Sequence, residues 1–344
     1  MNGKNNRVKG CLSRGANKVN NKFPSIKKVI NNLQIPQENL NESQKETLNF
    51  FKYNYPVLNK YENYKFNLNT EYATIGLRQR DFDNGTIRIT KPGRYILLEN
   101  IIFNPNEDND FSPKPEQISS GLYPEMMNGP YHLGFFAAIA VETNDVIIDL
   151  NNKSLKQSDK HAFQQRFYSN IELANSPFIP KQGPGDFKGN TTFKSSKNVL
   201  IMNGKLERSS HHGIHSNAAE NVILYKLDIT DFEVAAIALN GSSDSIISDI
   251  YIHDNTTDIP LLSTYSQARF IRKHLNRIPD DSFINILGEN ISAATIKNDL
   301  IGELDNTFNR FKNKQDLPDN IFKNPERLDG YDGNVYGMVL NVNG

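Results

Sequence analysis

The chain has 344 residues, with 39 Lys plus Arg balanced by 39 Asp plus Glu, and a single cysteine. Zero net charge excludes a general electrostatic pull toward nucleic acid or anionic membrane, and one thiol excludes an intramolecular disulfide. No apolar run approaches the ~18 residues of a membrane span, and the charged N-terminus lacks the apolar segment of a secretory signal. The sequence therefore reads as a soluble protein without a signal peptide.

Residues 1–28 carry eight basic residues (Lys4, Arg7, Lys9, Arg14, Lys18, Lys22, Lys27 and Lys28) and no acid. This Asn- and Lys-rich arm, which also holds Cys11, has no apolar periodicity. It is expected to be disordered, with nucleic acid or another acidic partner as its candidate contact. Residues 29–82 are expected to form a helical cap that includes ESQKETLNFFKYN.

From residue 83 the pattern changes to strands. GTIRITKPGRYILLENIIFNPN alternates apolar and polar positions and turns at Pro92-Gly93, as the first strands of a longer array would. The array shows itself as an internal repeat. NVLIMNGKL (198–206), NVILYKLDI (221–229) and DSIISDIYI (244–252) follow one another at intervals of 23 residues, and GIHSN (213–217) recurs as AIALN (236–240). Each unit holds three apolar runs of three to five residues between polar turns, too short for helices. The reading is all-β: a parallel β-helix of three-strand coils, with Leu206, Ile229 and Ile252 lining one wall and Ile214 and Ile237 another. AAIAVETNDVIIDL (137–150) and NVYGMVLN (334–341) extend the pattern, and the latter places Met338 in the Ile237 column.

Two insertions are expected, at about 158–195 and 256–333. The second carries helical patterns over 261–278 and 291–314, with Ile296, Leu300, Leu304, Phe308 and Phe311 at helical spacing. Gly344 falls within a coil, so the sheet edge there calls for the helical insertion, a partner or more chain to cover it. Association of copies through that open end is one expectation.

The stretch from Ser196 to Phe232 resembles the pectate-lyase-like right-handed parallel β-helix superfamily, as do ITKPGRYILLENIIFNPN and VIIDLNNKSLKQS. The resemblance implies a right-handed β-helix over residues 83–344. It implies little about activity, because the superfamily holds polysaccharide lyases, hydrolases, viral tailspikes and adhesins. With the Asn, Lys and Ile bias it suggests a large DNA virus as the source, and an intracellular or virion-associated protein.

In that superfamily catalytic residues often sit on one exposed sheet, which corresponds to the Gly213–His215 wall. Its outward columns read Ala138, Gly213, Ala236, Gly337 and Ala140, His215, Ala238, Val339, leaving His215 as the polar exception. A lyase needs a Lys or Arg base and usually carboxylates for Ca²⁺; a glycoside hydrolase needs two carboxyl groups ~5–9.5 Å apart. These strands supply neither, so acids would have to come from the insertions, as Asp159, Glu172 or Asp186. The turn before the wall is richer. Arg208, Asp231 and Asp254 share one column, with Arg208–Asp231 expected as an ion pair and Asp231–Asp254 as a repulsive pair that a cation such as a divalent metal, a proton or a ligand would relieve. The candidate polar site comprises Arg208, His211, His212, His215, Asp231, Glu233, His253 and Asp254. His211 and His215 have zinc-like spacing on a helix but not on a coil, so no metal ligand or cofactor is assigned. The expected function is a non-enzymatic surface or structural β-helix that binds glycans or proteins. The alternatives are a polysaccharide lyase or glycoside hydrolase, and a virion or scaffold component whose basic arm meets nucleic acid.

Overall fold

In a computed structural model the described residues are 41–54, 73–125, 129–165, 167–180, 182, 192–253, 275, 278–312 and 336–341. The chain divides into two compact units, 1–63 and 64–344. The first contains helix α1 (Glu42–Asn54), at the segment where the sequence predicts one. Its start is closed by a reciprocal pair: Gln44 N–H donates to Asn41 Oδ1 (2.8 Å), and Asn41 N–H donates to Gln44 Oε1 (3.0 Å). Two backbone donors that the helix cannot use are thereby satisfied. The basic arm lies outside the described residues.

The second unit is built from corners that only certain residues tolerate. Asn203, Lys226 and Asp249, each 23 residues after the last, have φ of 60°, 51° and 56°; Asn198, Asn221 and Asp244 have 56°, 55° and 52°. A left-handed residue turns the chain sharply, and Asn and Asp reach that region at small penalty. Between corners the apolar runs pair in parallel at the same interval. Strands are numbered along the chain. One sheet has the order β1 (Thr74–Leu77), β3 (Gly93–Leu97), β6 (Val146–Gln157), β8 (Lys197–Leu206), β10 (Glu220–Ile229) and β12 (Ile246–Ile252), with β4 (Ile101–Phe103) also on β6. The other runs β15 (Tyr336–Asn341), β11 (Ala235–Asn240), β9 (His212–Asn217), β7 (Ser169–Glu172), β5 (Ala137–Val141) and β2 (Ile87–Ile89). This is a parallel β-helix. The first two runs of a coil form one strand bent at the corner, as in β10, where Tyr225 pairs with Met202 and Leu227 with Gly204 on either side of Lys226. The third run forms the second sheet.

The expected columns stand in register: Leu206 with Ile229, Ile229 with Ile252, Ile214 with Ile237, and Ile237 with Met338. Leu206, Ile229, Ile214 and Ile237 are fully buried, each worth about 1.5–3 kcal/mol of transfer free energy. The second insertion contains a hairpin, β13 (Phe283–Ile286) and β14 (Glu289–Ser292), and helix α3 (Ala293–Lys312). The predicted helix over 261–278 lies almost wholly outside the described residues.

Three expectations need correction. Strand β1 lies inside the region read as cap, so coils begin before residue 83. The excursion read from 158 to 195 contains a helix, α2 (Asp159–Gln164), and a full wall strand, β7, between β5 and β9. That strand is only SNIE; one apolar residue in four leaves no periodic signal. Finally, Gly213 is not an outward position. A Cβ there would lie 2.9 Å from Ile229 Cγ2 and 2.5 Å from the Ala236 carbonyl oxygen. The ladder pairs His212 with Ala235 and next Ile214 with Ile237, and strict alternation breaks at Gly213. His212 and His215 consequently share the outer face.

Candidate functional site

The β7–β9–β11 wall carries the arrangement with the most chemistry. Ser169 and Glu172 on β7 stand beside His212 and His215 on β9. Glu172 is fully buried, and His215 Nδ1 sits 2.7 Å and 3.0 Å from its two carboxylate oxygens. Ser169 donates a longer hydrogen bond to Glu172 Oε2 (3.3 Å). Burial pushes the Glu172 carboxyl above its usual range, against the opposing pull of the His215 imidazole and the Ser169 hydroxyl.

The other ring nitrogen of His215 also has a neighbour. Asn341 Nδ2 donates to Asn240 Oδ1 (3.2 Å), Asn240 Nδ2 to Asn217 Oδ1 (3.3 Å), and Asn217 Nδ2 to the Pro177 carbonyl (3.2 Å). This ladder aims the Asn240 amide nitrogen at His215 Nε2, 3.2 Å away. The ring of His215 thus bridges the Glu172 carboxyl group and the Asn240 amide.

A row of rings continues from His215. His212 stacks on it nearly parallel (4.9 Å, 6°), His211 meets His212 at 4.0 Å, Phe167 meets His211 at 5.8 Å, and Phe178 meets Phe167 at 5.1 Å. His211 and His212 also bring their Nδ1 atoms within 2.9 Å, so one donates and the other accepts. Burial drives the His212 pKa well below 6.5, with further lowering by His211 and His215. Together with Pro177, Ile179 and Gln182 from the segment after β7, these groups line a cleft of about 270 Å³, near the lower bound of small-ligand sites.

The structure divides the residues that the sequence singled out. His211, His212 and His215 line the cleft. Arg208 does not form its expected main pair with Asp231. Its Nη1 binds the carboxylate of Asp159, which α2 brings across, while Asp231 acts on it only through charge. Asp231 holds a corner instead (φ 56°), its carbonyl accepting from Ser209 N–H at 2.8 Å. Glu233 is buried at the neighbouring backbone, its N–H donating to the Ser209 carbonyl. His253 turns away to Asp228 Oδ1 (2.8 Å) and stacks on Tyr251. Asp254 and Asp186 lie outside the described residues, and with Asp254 goes the proposed cation pair. Among the described residues no three His, Cys, Asp or Glu side chains are grouped to hold a metal ion.

The wall is also less bare than its columns promised, because Glu172 occupies the His215 column one coil earlier. The sequence named Glu172 only as an acid from an insertion. A fourth coil strand through SNIE, had its single Ile171 been aligned with Ile139 and Ile214, would have placed it.

Comparison with models of known protein families, with curated proteins and with solved structures found no match. What the two parallel sheets show is a parallel β-helix architecture. No helix among the described residues is long and apolar enough to cross a membrane.

Proposed function

We propose that the protein is a glycan-binding β-helix without catalytic activity, and that its ligand occupies the cleft over the β7–β9–β11 wall. The observation that carries this reading is the row of rings from Phe178 to His215 ending on the Asn240–Asn217 amides. Sugar rings present apolar C–H faces and a rim of hydroxyls. Aromatic walls take the former, while amides and imidazoles take the latter.

Two features favour binding over catalysis. Glu172 is the one carboxylate among the described lining residues, whereas glycoside hydrolysis by acid and base or nucleophile uses two. Glu172 and His215 are also committed to each other, to Ser169 and to Asn240, which leaves neither placed to take a substrate proton.

The test is titration of the full chain with a panel of neutral and acidic oligosaccharides, followed by calorimetry and by NMR of the histidine ring protons. Binding should perturb the cleft imidazoles, and Phe178→Ala should weaken it at least tenfold. A folded protein that binds nothing on the panel at millimolar concentration, or one that releases reducing ends or unsaturated products, would overturn the reading.

A further inference from the structure

We infer that Asn341 is a positioning residue for the cleft, setting ligand affinity although it is not among the described residues that line it. This rests on the glycan-binding reading and goes further by placing a determinant of that binding one coil beyond the site. Asn217, Asn240 and Asn341 occupy the same register position on β9, β11 and β15. Their side chains are joined amide to amide. Asn341 Nδ2 donates to Asn240 Oδ1 (3.2 Å), and Asn240 Nδ2 donates to Asn217 Oδ1 (3.3 Å). The inner end of this row reaches two parts of the cleft. Asn240 Nδ2 lies 3.2 Å from His215 Nε2, and Asn217 Nδ2 donates to the carbonyl of Pro177, the residue before Phe178.

An amide plane turns about a broad, soft torsion, so its direction is set by what its two ends touch. The nitrogen of Asn240 faces His215 and Asn217, and its oxygen is held by Asn341. Within such a row each bond polarises the next. Removing the Asn341 amide takes the donor from the Asn240 oxygen and leaves that plane held at one end. A ligand hydroxyl that reads Asn240, Asn217 or the His215 ring then meets them in more than one orientation, and binding has to order them again. One hydrogen bond between uncharged groups is worth about two- to tenfold in the population of the aligned state.

Three variants of the full chain decide it, measured against the same oligosaccharide panel: Asn341→Ala, Asn341→Asp and Leu340→Ala. An ionised Asp keeps the shape of Asn but accepts hydrogen bonds where Asn donates them. Leu340 is the exposed neighbour on β15, outside the amide row. Both Asn341 variants, shown to be folded by circular dichroism, should bind the tightest panel member about two- to tenfold more weakly. Both should also move the His215 ring-proton resonances of the ligand-free protein, and Leu340→Ala should do neither. Unchanged affinity in either Asn341 variant, or a loss with the His215 resonances unmoved, overturns the inference and leaves the glycan reading intact. So does an equal loss in Leu340→Ala, which would trace the effect to the strand rather than to the amide. Failure of the unaltered protein to bind any panel member removes the glycan reading and this inference with it, a result told apart because it needs no variant.

Discussion

Glu172 and His212 answer acid in opposite directions, because burial disfavours the charged form of each. The His212 pKa is depressed below 6.5 in the folded protein. Its contribution to stability is therefore present above 6.5, where both states leave it neutral, and is lost as pH falls toward the folded value. Glu172 has a raised pKa. Its contribution is fully present below 4.5, the ordinary value, and is lost as pH rises through the folded one. Replacing His212 isolates the first effect, and the fold itself suggests the replacement, since Ala235 fills the same position one coil on. In urea unfolding between pH 7.5 and 5.5, the unaltered protein should lose stability relative to His212→Ala below about pH 6.5. The slope should approach about 1.4 kcal/mol per pH unit. Parallel pH profiles for the two proteins would show that His212 protonates as freely in the cleft as in the unfolded chain.

At the scale of elements, the corners show one use the fold makes of its Asn. An abundance of Asn in a chain rich in Lys and Ile suggests codon bias. Yet Asn151, Asn152, Asn198, Asn203 and Asn221 all hold left-handed corners, and Asn221 Nδ2 also donates to Asn198 Oδ1 across coils at 2.8 Å. The repeat was legible because its apolar runs recur at a constant interval, and the Ile and Leu columns follow directly. Strand β7 was not legible, since Ser169, Asn170 and Glu172 present no apolar face. With β7 went the partner of His215, and so the site. His211, His212 and His215 could be noticed in the sequence; that His212 shares a face with His215 depends on the break in alternation at Gly213. The corner at Lys226 shows a departure with a consequence. Its neighbours in the column are Asn203 and Asp249, whereas Lys226 itself is an exposed residue at φ 51°. A Lys in that region carries a penalty of roughly 1 kcal/mol or more that Asn largely avoids. The ammonium lies 5.1 Å from the Tyr225 ring centre, an exposed contact worth roughly 0.5–1 kcal/mol. An Asn at 226 would lose that contact but stand one coil from Asn203, able to stack amide on amide as Asn221 does on Asn198. Lys226→Asn should therefore stabilise by about 0.5–1 kcal/mol, read as a higher urea midpoint at unchanged m-value. A lower midpoint would mean that the Tyr225 contact outweighs the corner.

At the scale of the whole molecule, a coil has no core of its own, and each is held by the two it touches. Stability should then vary along the axis, and one column allows the same kind of change to be made at two depths. Ile214 is fully buried between Ile171 and Ile237. Met338 extends the same column on β15, the last of the described strands in its sheet, paired with Ile237 on one side, and remains 38% exposed. Its strand neighbours Tyr336 and Leu340 are exposed as well, as is Tyr251 on β12, the last strand of the other sheet. Truncating Ile214 to Ala removes contacts on every side and leaves a cavity, a loss of about 2–5 kcal/mol. Truncating Met338 removes contacts from one side and leaves a notch open to water, so less than about 1 kcal/mol is expected. Amide exchange should show the same gradient without any mutation, with the slowest amides in β8, β9 and β10 and faster ones in β12 and β15. Were Met338→Ala to cost as much as Ile214→Ala, with β15 exchanging as slowly as β9, the outer face of β15 would have to be covered in solution. A dependence of both quantities on protein concentration would then identify the cover as a second copy of the chain, because a covering segment of the same chain gives none.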